Sequence, residues 1–358
     1  MIAIDMDGTL LGEDGRVSPR NLAALLAAEA AGIEVVVATG RRHSYAMRVL
    51  RPLGLHHASA LVSSNGTVTR TLGSSSLATE HIVSKLIART HLPHATALWL
   101  CAHIEEFRNA LVLTFDRVGP DGDDIRGALV VEHLDELHSS IGRWMAANEP
   151  YIAHVNPIES ALAYTGNDAN GANLNAPIQA MLCGSIDRMA RAEARLLEHP
   201  GVTASGHPSG RSGATMFQSP AGAKRPGAPL MTVPSSRVGP NTSAPQPEPE
   251  PLLTLHRTEY PDRDLSILDI LPAGCSKGAA LLSLAALRGI DQSQILAIGD
   301  NWNDVSMLEV AGAAVLMANG PEDLKELARE RGWQIGPSNR DDGVADAIEA
   351  ALSVSATC

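Results

Sequence analysis

Aromatic residues are scarce, at 3% of the 358 residues, which leaves too few flat rings for the stacking platforms that hold single-stranded nucleic acid. Positive charge is also in short supply. The formal net charge is −12 at pH 7, so a nucleic-acid backbone or an anionic membrane is repelled on average, although a local basic pocket stays compatible with it. Cysteine is sparse and scattered: Cys101, Cys183, Cys275 and Cys358 form no Cys-x-x-Cys pair, which fits neither a disulfide scaffold nor a Cys-rich zinc site and suits a reducing compartment. No window reaches the ~18 consecutive apolar residues of a membrane span, since even the Ala/Leu-rich stretch from Leu22 to Val37 contains Glu29 and Glu34. The start, MIAIDMDGTLL, has acids where a signal peptide needs a basic opening and an unbroken apolar run. These absences predict a cytoplasmic protein with neither nucleic acid nor membrane as partner.

What is present is an aliphatic chain of two-domain length. Ile2 to Ile4 is β-branched, Ser18-Pro19 can cap and open a helix, Leu22, Leu25 and Leu26 recur at helical spacing, and Ile33 to Ala38 is a continuous apolar run, the kind buried on both faces of a parallel sheet. A helix over His43 to Leu50 and a strand from Ala60 follow. The last part repeats the rhythm, with a helix from Lys277, a strand over Ile295 to Ile298, a helix over Val305 to Val310, a strand over Ala314 to Met317, a helix opened by Pro321, and a terminal helix over Val344 to Leu352. This alternation predicts an α/β fold, a Rossmann-like doubly wound parallel sheet split into two halves, residues 1–78 and 271–358. Residues 79–270 are then an inserted α/β cap domain, with strand-like runs at Leu111 to Asp116 and Ala128 to Leu134 and a helix over Ile186 to Leu197. Within it, Ser205 to Pro251 is rich in Pro, Gly, Ser and Ala, and reads as a disordered insertion or, alternatively, a functional docking segment.

Four local patterns can carry chemistry. Asp5 and Asp7 lie where the first strand ends, and strand alternation points both carboxylates the same way. Two adjacent carboxylates repel unless a cation or shared proton relieves them, and a hard divalent ion such as Mg²⁺ does so; an Asp-rich turn explains the pattern equally well. Thr39-Gly40-Arg41 follows the second strand, where a hydroxyl and free amides can hold an anionic oxygen, or simply punctuate a turn. Asp300 ends the strand before Asn301, Trp302, Asn303 and Asp304, where it can be another metal ligand while Asp304 caps the next helix. Lys277 opens a helix, an unfavourable place for a cation unless an anion faces it, though a solvated surface lysine is the ordinary reading. His56-His57 and the pair His91 and His94 lack further ligands at metal spacing and read as structural or surface residues.

Taken in order, Asp-x-Asp-Gly-Thr, Thr-Gly-Arg, Lys and Gly-Asp-x-x-Asn-Asp resemble the haloacid dehalogenase-like phosphatase superfamily, specifically its Cof-type branch. Ser63-Ser64-Asn65-Gly66-Thr67, Gly274-Cys275-Ser276-Lys277-Gly278 and Asn339-Arg340-Asp341-Asp342-Gly343 extend the resemblance over both end segments. It implies that Asp5 is a nucleophile forming an aspartyl-phosphate and Asp7 the general acid and base. It implies Mg²⁺ held by Asp5, the Asp7 backbone carbonyl and Asp300, with Thr39, Gly40, Arg41 and Lys277 on the phosphoryl group. Asn65 touches the leaving group or the cap edge, and Asn301, Asn303 and Asp304 orient metal waters and Lys277. Leu10 to Val17 reads as a hairpin too short to cover the site, so the inserted domain is the lid. The implied function is a phosphatase of a small phosphorylated metabolite; a phosphotransferase and a non-catalytic binding protein on the same fold are the alternatives.

Overall fold

A computed structural model describes residues 1–75, 82–119, 122–133, 141–163, 176–204 and 252–355. The Pro/Gly-rich stretch from Ser205 to Pro251 lies outside the described residues. In chain order the strands are β1 (Ile2–Asp5), β2 (Val35–Ala38), β3 (Ala60–Ser63), β4 (Val68–Thr71), β5 (Ser74–Ser75), β6 (Ile82–Val83), β7 (Leu86–Arg89), β8 (Leu111–Thr114), β9 (Leu129–Val131), β10 (Ile152–His154), β11 (Gln179–Gly184), β12 (Val202–Ala204), β13 (Leu253–Tyr260), β14 (Leu265–Pro272), β15 (Leu296–Gly299), β16 (Ala313–Met317) and β17 (Gln334–Gly336). The helices are α1 (Pro19–Ala30), α2 (His43–Leu50), α3 (His94–His103), α4 (Gly142–Asn148), α5 (Ile186–Leu197), α6 (Lys277–Arg288), α7 (Val305–Val310), α8 (Glu322–Arg331) and α9 (Gly343–Ser355).

The ends of the chain build one eight-stranded sheet in the order β17-β16-β15-β1-β2-β3-β4-β7. Its pairings are parallel from β17 through β3 and antiparallel at β4 and β7. The central strands are buried on both faces, Ile2, Ile4, Val35 and Val37 packing against α1, α2 and α9 on one side and Ala3, Val36 and Ala38 against α6, α7 and α8 on the other. That two-sided burial is why they read as unbroken apolar runs. Helix starts obey local capping: the Ser18, Ser185 and Ser276 side chains accept N–H bonds from Asn21, Arg188 and Ala279, and Pro19 occupies a position whose N–H has no helical partner.

The middle of the chain forms a seven-stranded sheet in the order β10-β9-β8-β11-β14-β13-β12, mostly antiparallel. One face packs on α3 and α5 through Leu100, Met189 and Leu196; the other carries Val112, Leu129 and Val131 beneath Trp144 and Met145 of α4. Two details differ from the sequence reading. The short edge strand β7 joins the first sheet, so pairing in that sheet runs to Arg89, beyond the boundary read at residue 78; half-exposed edge residues give too weak a pattern to be seen beforehand. Leu10 to Val17 is a tight loop without strand pairing, held by Gly12 N–H to Arg16 O and Gly15 N–H to Gly12 O, both 2.9 Å.

Candidate active site

The site forms where the parallel strands end, at the point in the sheet where β1 has β2 on one side and β15 on the other, the position at which doubly wound sheets open a crevice. Asp5 is the last residue of β1 and is 4% exposed. The chain then turns through Gly8 at φ +80, where a Cβ would fall 2.3 Å from Asp300 Oδ2, so both backbone sign and space require glycine. Thr9 Oγ1 donates to Asp300 Oδ1 at 2.8 Å. Asn319, just past β16, donates from Nδ2 to Gly8 O at 2.8 Å and to Asp300 Oδ2 at 3.3 Å. Asn339 continues this chain, giving its N–H to Asn319 Oδ1 at 3.0 Å and its Nδ2 hydrogen to Leu11 O at 2.8 Å. The loop that carries Asp7 is thus pinned from below.

Asp7 differs from Asp5 in its surroundings. Its side chain is 53% exposed, and Arg41 grips it with both arms, Nε donating to Oδ2 at 2.7 Å and Nη2 to Oδ1. That fork is the geometry arginine uses for carboxylates and phosphates.

Lys277 opens α6 yet is 1% exposed, and the anion its position called for is double: Nζ donates to Asp5 Oδ1 at 2.5 Å and to Asp304 Oδ1 at 2.6 Å. Asp304 is fully buried, and its other oxygen, Oδ2, accepts the N–H groups of Asp300 and Asn301 at 2.9 and 3.0 Å. It therefore fixes both the lysine and the loop that bears Asp300. Burial acts to lower the lysine's affinity for its proton, but the carboxylates of Asp304 and Asp5 outweigh it and the net shift is upward.

Thr39 is fully buried, and its Oγ1 accepts the N–H of Arg41 at 3.1 Å. Asn65 follows β3 in a left-handed conformation, φ 53, and gives its N–H to Thr39 O at 3.0 Å. Its side chain reaches two ways: Nδ2 donates to Asp269 Oδ2 of β14 at 3.0 Å, and Oδ1 lies 3.1 Å from where a Cβ on Gly40 would be. Asn65 joins the first sheet's crevice to the second sheet.

The donor set fits a hard divalent cation. Asp5, Asp300 and Asp304 each offer a carboxylate oxygen, all within 4.8 Å of one another, against one ammonium group. Burial first, then repulsion from Asp304, pushes Asp5 well above the usual carboxylate range and Asp300 up to about 7. A dication with oxygen ligands would relieve that excess of negative charge. Asp304 spends its oxygens on the Lys277 ammonium and two backbone N–H groups, whereas Asp5 keeps one oxygen without a hydrogen-bond partner among the described residues and Asp300 faces a neutral hydroxyl and amide. Asp5 and Asp300 are therefore the better-suited donors, and Asp304 holds the lysine and the loop beside them.

Asp5, Asp7, Thr39, Gly40, Arg41, Asn65, Lys277, Asp300 and Asp304 therefore come together in one crevice. Asn301 spends its side chain on the Trp302 N–H at 2.8 Å, closing the turn, and Asn303 makes no hydrogen bond to Lys277 or to the aspartates. Asn319 and Asp269 escaped the sequence reading. A polar residue at the carboxyl end of a parallel strand was the available signal for Asn319, and a lone acid inside the apolar run Leu265–Pro272 for Asp269.

A family model of haloacid dehalogenase-like hydrolases matches residues 2–112 and 255–348. The chain is 26% identical over 365 residues to a 5-amino-6-(5-phospho-D-ribitylamino)uracil phosphatase, YwtE, of Bacillus subtilis (strain 168), covering 98% of each. Among solved structures it is similar to a haloacid dehalogenase-like hydrolase from B. subtilis, with TM-score 0.62, 22% identity and 97% and 98% of the two chains covered. It is also similar to a sugar phosphatase described as subclass IIB of that superfamily, with TM-score 0.59, 15% identity and 98% and 97% covered.

Proposed function

Because this chain belongs to the haloacid dehalogenase-like hydrolase family, we propose that it is a Mg²⁺-dependent phosphatase that releases phosphate from a small phosphorylated metabolite through an aspartyl-phosphate. It is a phosphoric monoester hydrolase, and its substrate is a sugar phosphate, a polyol phosphate or a phosphorylated cofactor precursor. The observation that carries the reading is the convergence of Asp5 and Asp304, from opposite ends of the chain, on the buried Lys277 Nζ. Apolar side chains fill such a space at lower cost than a buried ion cluster, so the cluster points to chemistry rather than packing.

Asp5 Oδ1 is held by Lys277, and Oδ2 has no hydrogen-bond partner among the described residues. Oδ2 is then the oxygen that attacks phosphorus while the bond to the leaving oxygen breaks. Asp7, half open to solvent, gives that oxygen a proton; as a carboxylate it then takes one from the water that displaces Asp5 and frees inorganic phosphate. Arg41 must exchange its grip on Asp7 for the phosphoryl oxygens, since its fork occupies both Asp7 carboxylate oxygens and leaves neither free to reach the leaving oxygen. Thr39 and the Gly40 amide hold the phosphoryl group, and Lys277 keeps Asp5 oriented. Mg²⁺ held by Asp5, the Asp7 backbone carbonyl and Asp300 would supply the charge neutralisation that lets carboxylate and phosphate approach.

The test is phosphate release from a panel of phosphorylated metabolites with Mg²⁺ and no added acceptor. Turnover is expected with the metal and none after EDTA treatment; full activity in the metal-free protein would reject the scheme. Release that requires a second alcohol would make the protein a phosphotransferase.

A further inference from the structure

We infer that Asp269 and Asn65 together read the leaving group, and that the site thereby selects phosphate esters whose leaving group is uncharged and bears hydroxyls, against esters carrying a second anion. The inference rests on the phosphatase reading above and adds a selection by charge within the substrate class proposed there.

Its first support is position. Asp269 lies on β14 in register with His256 on β13 and Met181 on β11, so its side chain shares their face of the second sheet. That face meets the crevice through the bond from Asn65 Nδ2 to Asp269 Oδ2 at 3.0 Å. Asn65 in turn borders Gly40 and is bonded to the Thr39 carbonyl. A phosphoryl group held by Thr39 and Gly40 thus directs its ester substituent toward this pair.

Its second support is an unmet hydrogen-bond capacity. Asn65 is 2% exposed, and its Oδ1 has no partner. An amide oxygen buried in that way strongly favours a ligand that brings a donor. A carboxylate beside it accepts as well, and two neighbouring acceptors suit adjacent hydroxyls. Tyr260 adds a donor at the rim: 42% of its surface is open, while burial of its phenol, then the carboxylates of Asp7, Asp269, Asp300 and Asp5, pushes it up to about 12, so it stays protonated.

Its third support is charge. The cations that touch the site's aspartates are already matched, Lys277 by Asp5 and Asp304 and Arg41 by Asp7. Arg41 is released to the transferred phosphoryl group itself. A second phosphate or a carboxylate on the leaving group would meet Asp269 with no unmatched cation on the site's aspartates among the described residues, and like charges brought together out of water are strongly rejected.

The experiment compares kcat/KM of the full chain with Mg²⁺ for glycerol phosphate, 3-phosphoglycerate and p-nitrophenyl phosphate, in wild type and in Asp269→Asn. Wild type is expected to prefer glycerol phosphate to 3-phosphoglycerate by about 100-fold, and the variant to narrow that ratio by about tenfold or more. Equal use of the two esters by wild type, or an unchanged ratio in a folded variant, overturns the inference while p-nitrophenyl phosphate turnover still stands for the phosphatase reading. Absence of turnover on all three removes both. If Asp269→Asn does not fold, the wild-type ratio alone decides.

Discussion

Asp5 and Asp7 are two positions apart and have opposite environments, the condition the proposed mechanism needs if one short strand end is to supply both a nucleophile and a proton carrier. Asp5 is buried against Lys277; Asp7 is half exposed and, among the described residues, its side chain is held by Arg41. Asp5→Asn keeps the shape and removes the attacking oxygen, so turnover is expected to fall by at least about 10⁴-fold, read as phosphate release; a variant as active as wild type would remove Asp5 from the mechanism. Lys277→Met has a different expected signature. It strands the buried carboxylates of Asp5 and Asp304 without a cation, and unfolding free energy should fall by about 3–5 kcal/mol, measured by urea denaturation without metal. A stable variant would mean that the carboxylates simply hold protons. These residues were legible in the sequence because each ends a strand or opens a helix within a recognisable pattern. Asp269 was less so, since a lone acid inside the apolar run Leu265–Pro272 marks an unusual position but not which crevice it faces.

At the scale of elements, the strand and helix alternation was readable because the central strands are apolar on both faces, and α5 begins and ends where its pattern placed it, Ile186 and Leu197. Close approach between helices was not readable. A Cβ on Gly278 in the first turn of α6 would fall 2.1 Å from Ser306 O of α7, so Gly278→Ala must push the two helices apart beside Lys277. A loss of about 1–3 kcal/mol is expected, with a larger loss of turnover than of stability because Asp304 sits on the same junction; unaltered activity would show that the junction does not set the lysine. On α2, His43 is buried, and burial is the main reason its titration falls from 6.5 to about 3. The unfolded chain therefore takes up a proton below pH 6.5 that the folded chain refuses. The stability conferred by the neutral imidazole is complete above pH 6.5 and is lost as pH falls toward about 3. Between pH 7 and pH 5 this amounts to about 2 kcal/mol. His43→Leu should lack that share of the decline in urea unfolding, and an equal decline in both proteins would refute the assignment.

Across the whole molecule, the two sheets meet through arginines on one side and acids on the other. Arg42 pairs with Asp124 and Asn148, Arg70 and Arg89 with Asp116 at 2.6 and 3.1 Å, and Arg51 with Asp123 at 3.8 Å. Arg42 and Asp124 retain only 10% and 5% of their side-chain exposure. No sequence pattern announces such pairs, because the partners lie far apart in the chain and each alone reads as an ordinary surface charge. Pairs this buried add little net stability over an apolar contact, yet they are costly to break by halves. They tie Arg42, Arg51, Arg70 and Arg89 to acids that flank β8 and β9 of the second sheet, the sheet that also carries Asp269. Arg42→Met leaves Asp124 buried and unmatched and should lower the unfolding free energy by about 3–5 kcal/mol. Adding Asp124→Leu should return most of that loss, since neither charge then remains to be desolvated. If the double variant is as unstable as the single one, the arginine acts through its packing on Tyr151, whose ring centroid lies 5.3 Å from the guanidinium carbon, and not through the charge pair.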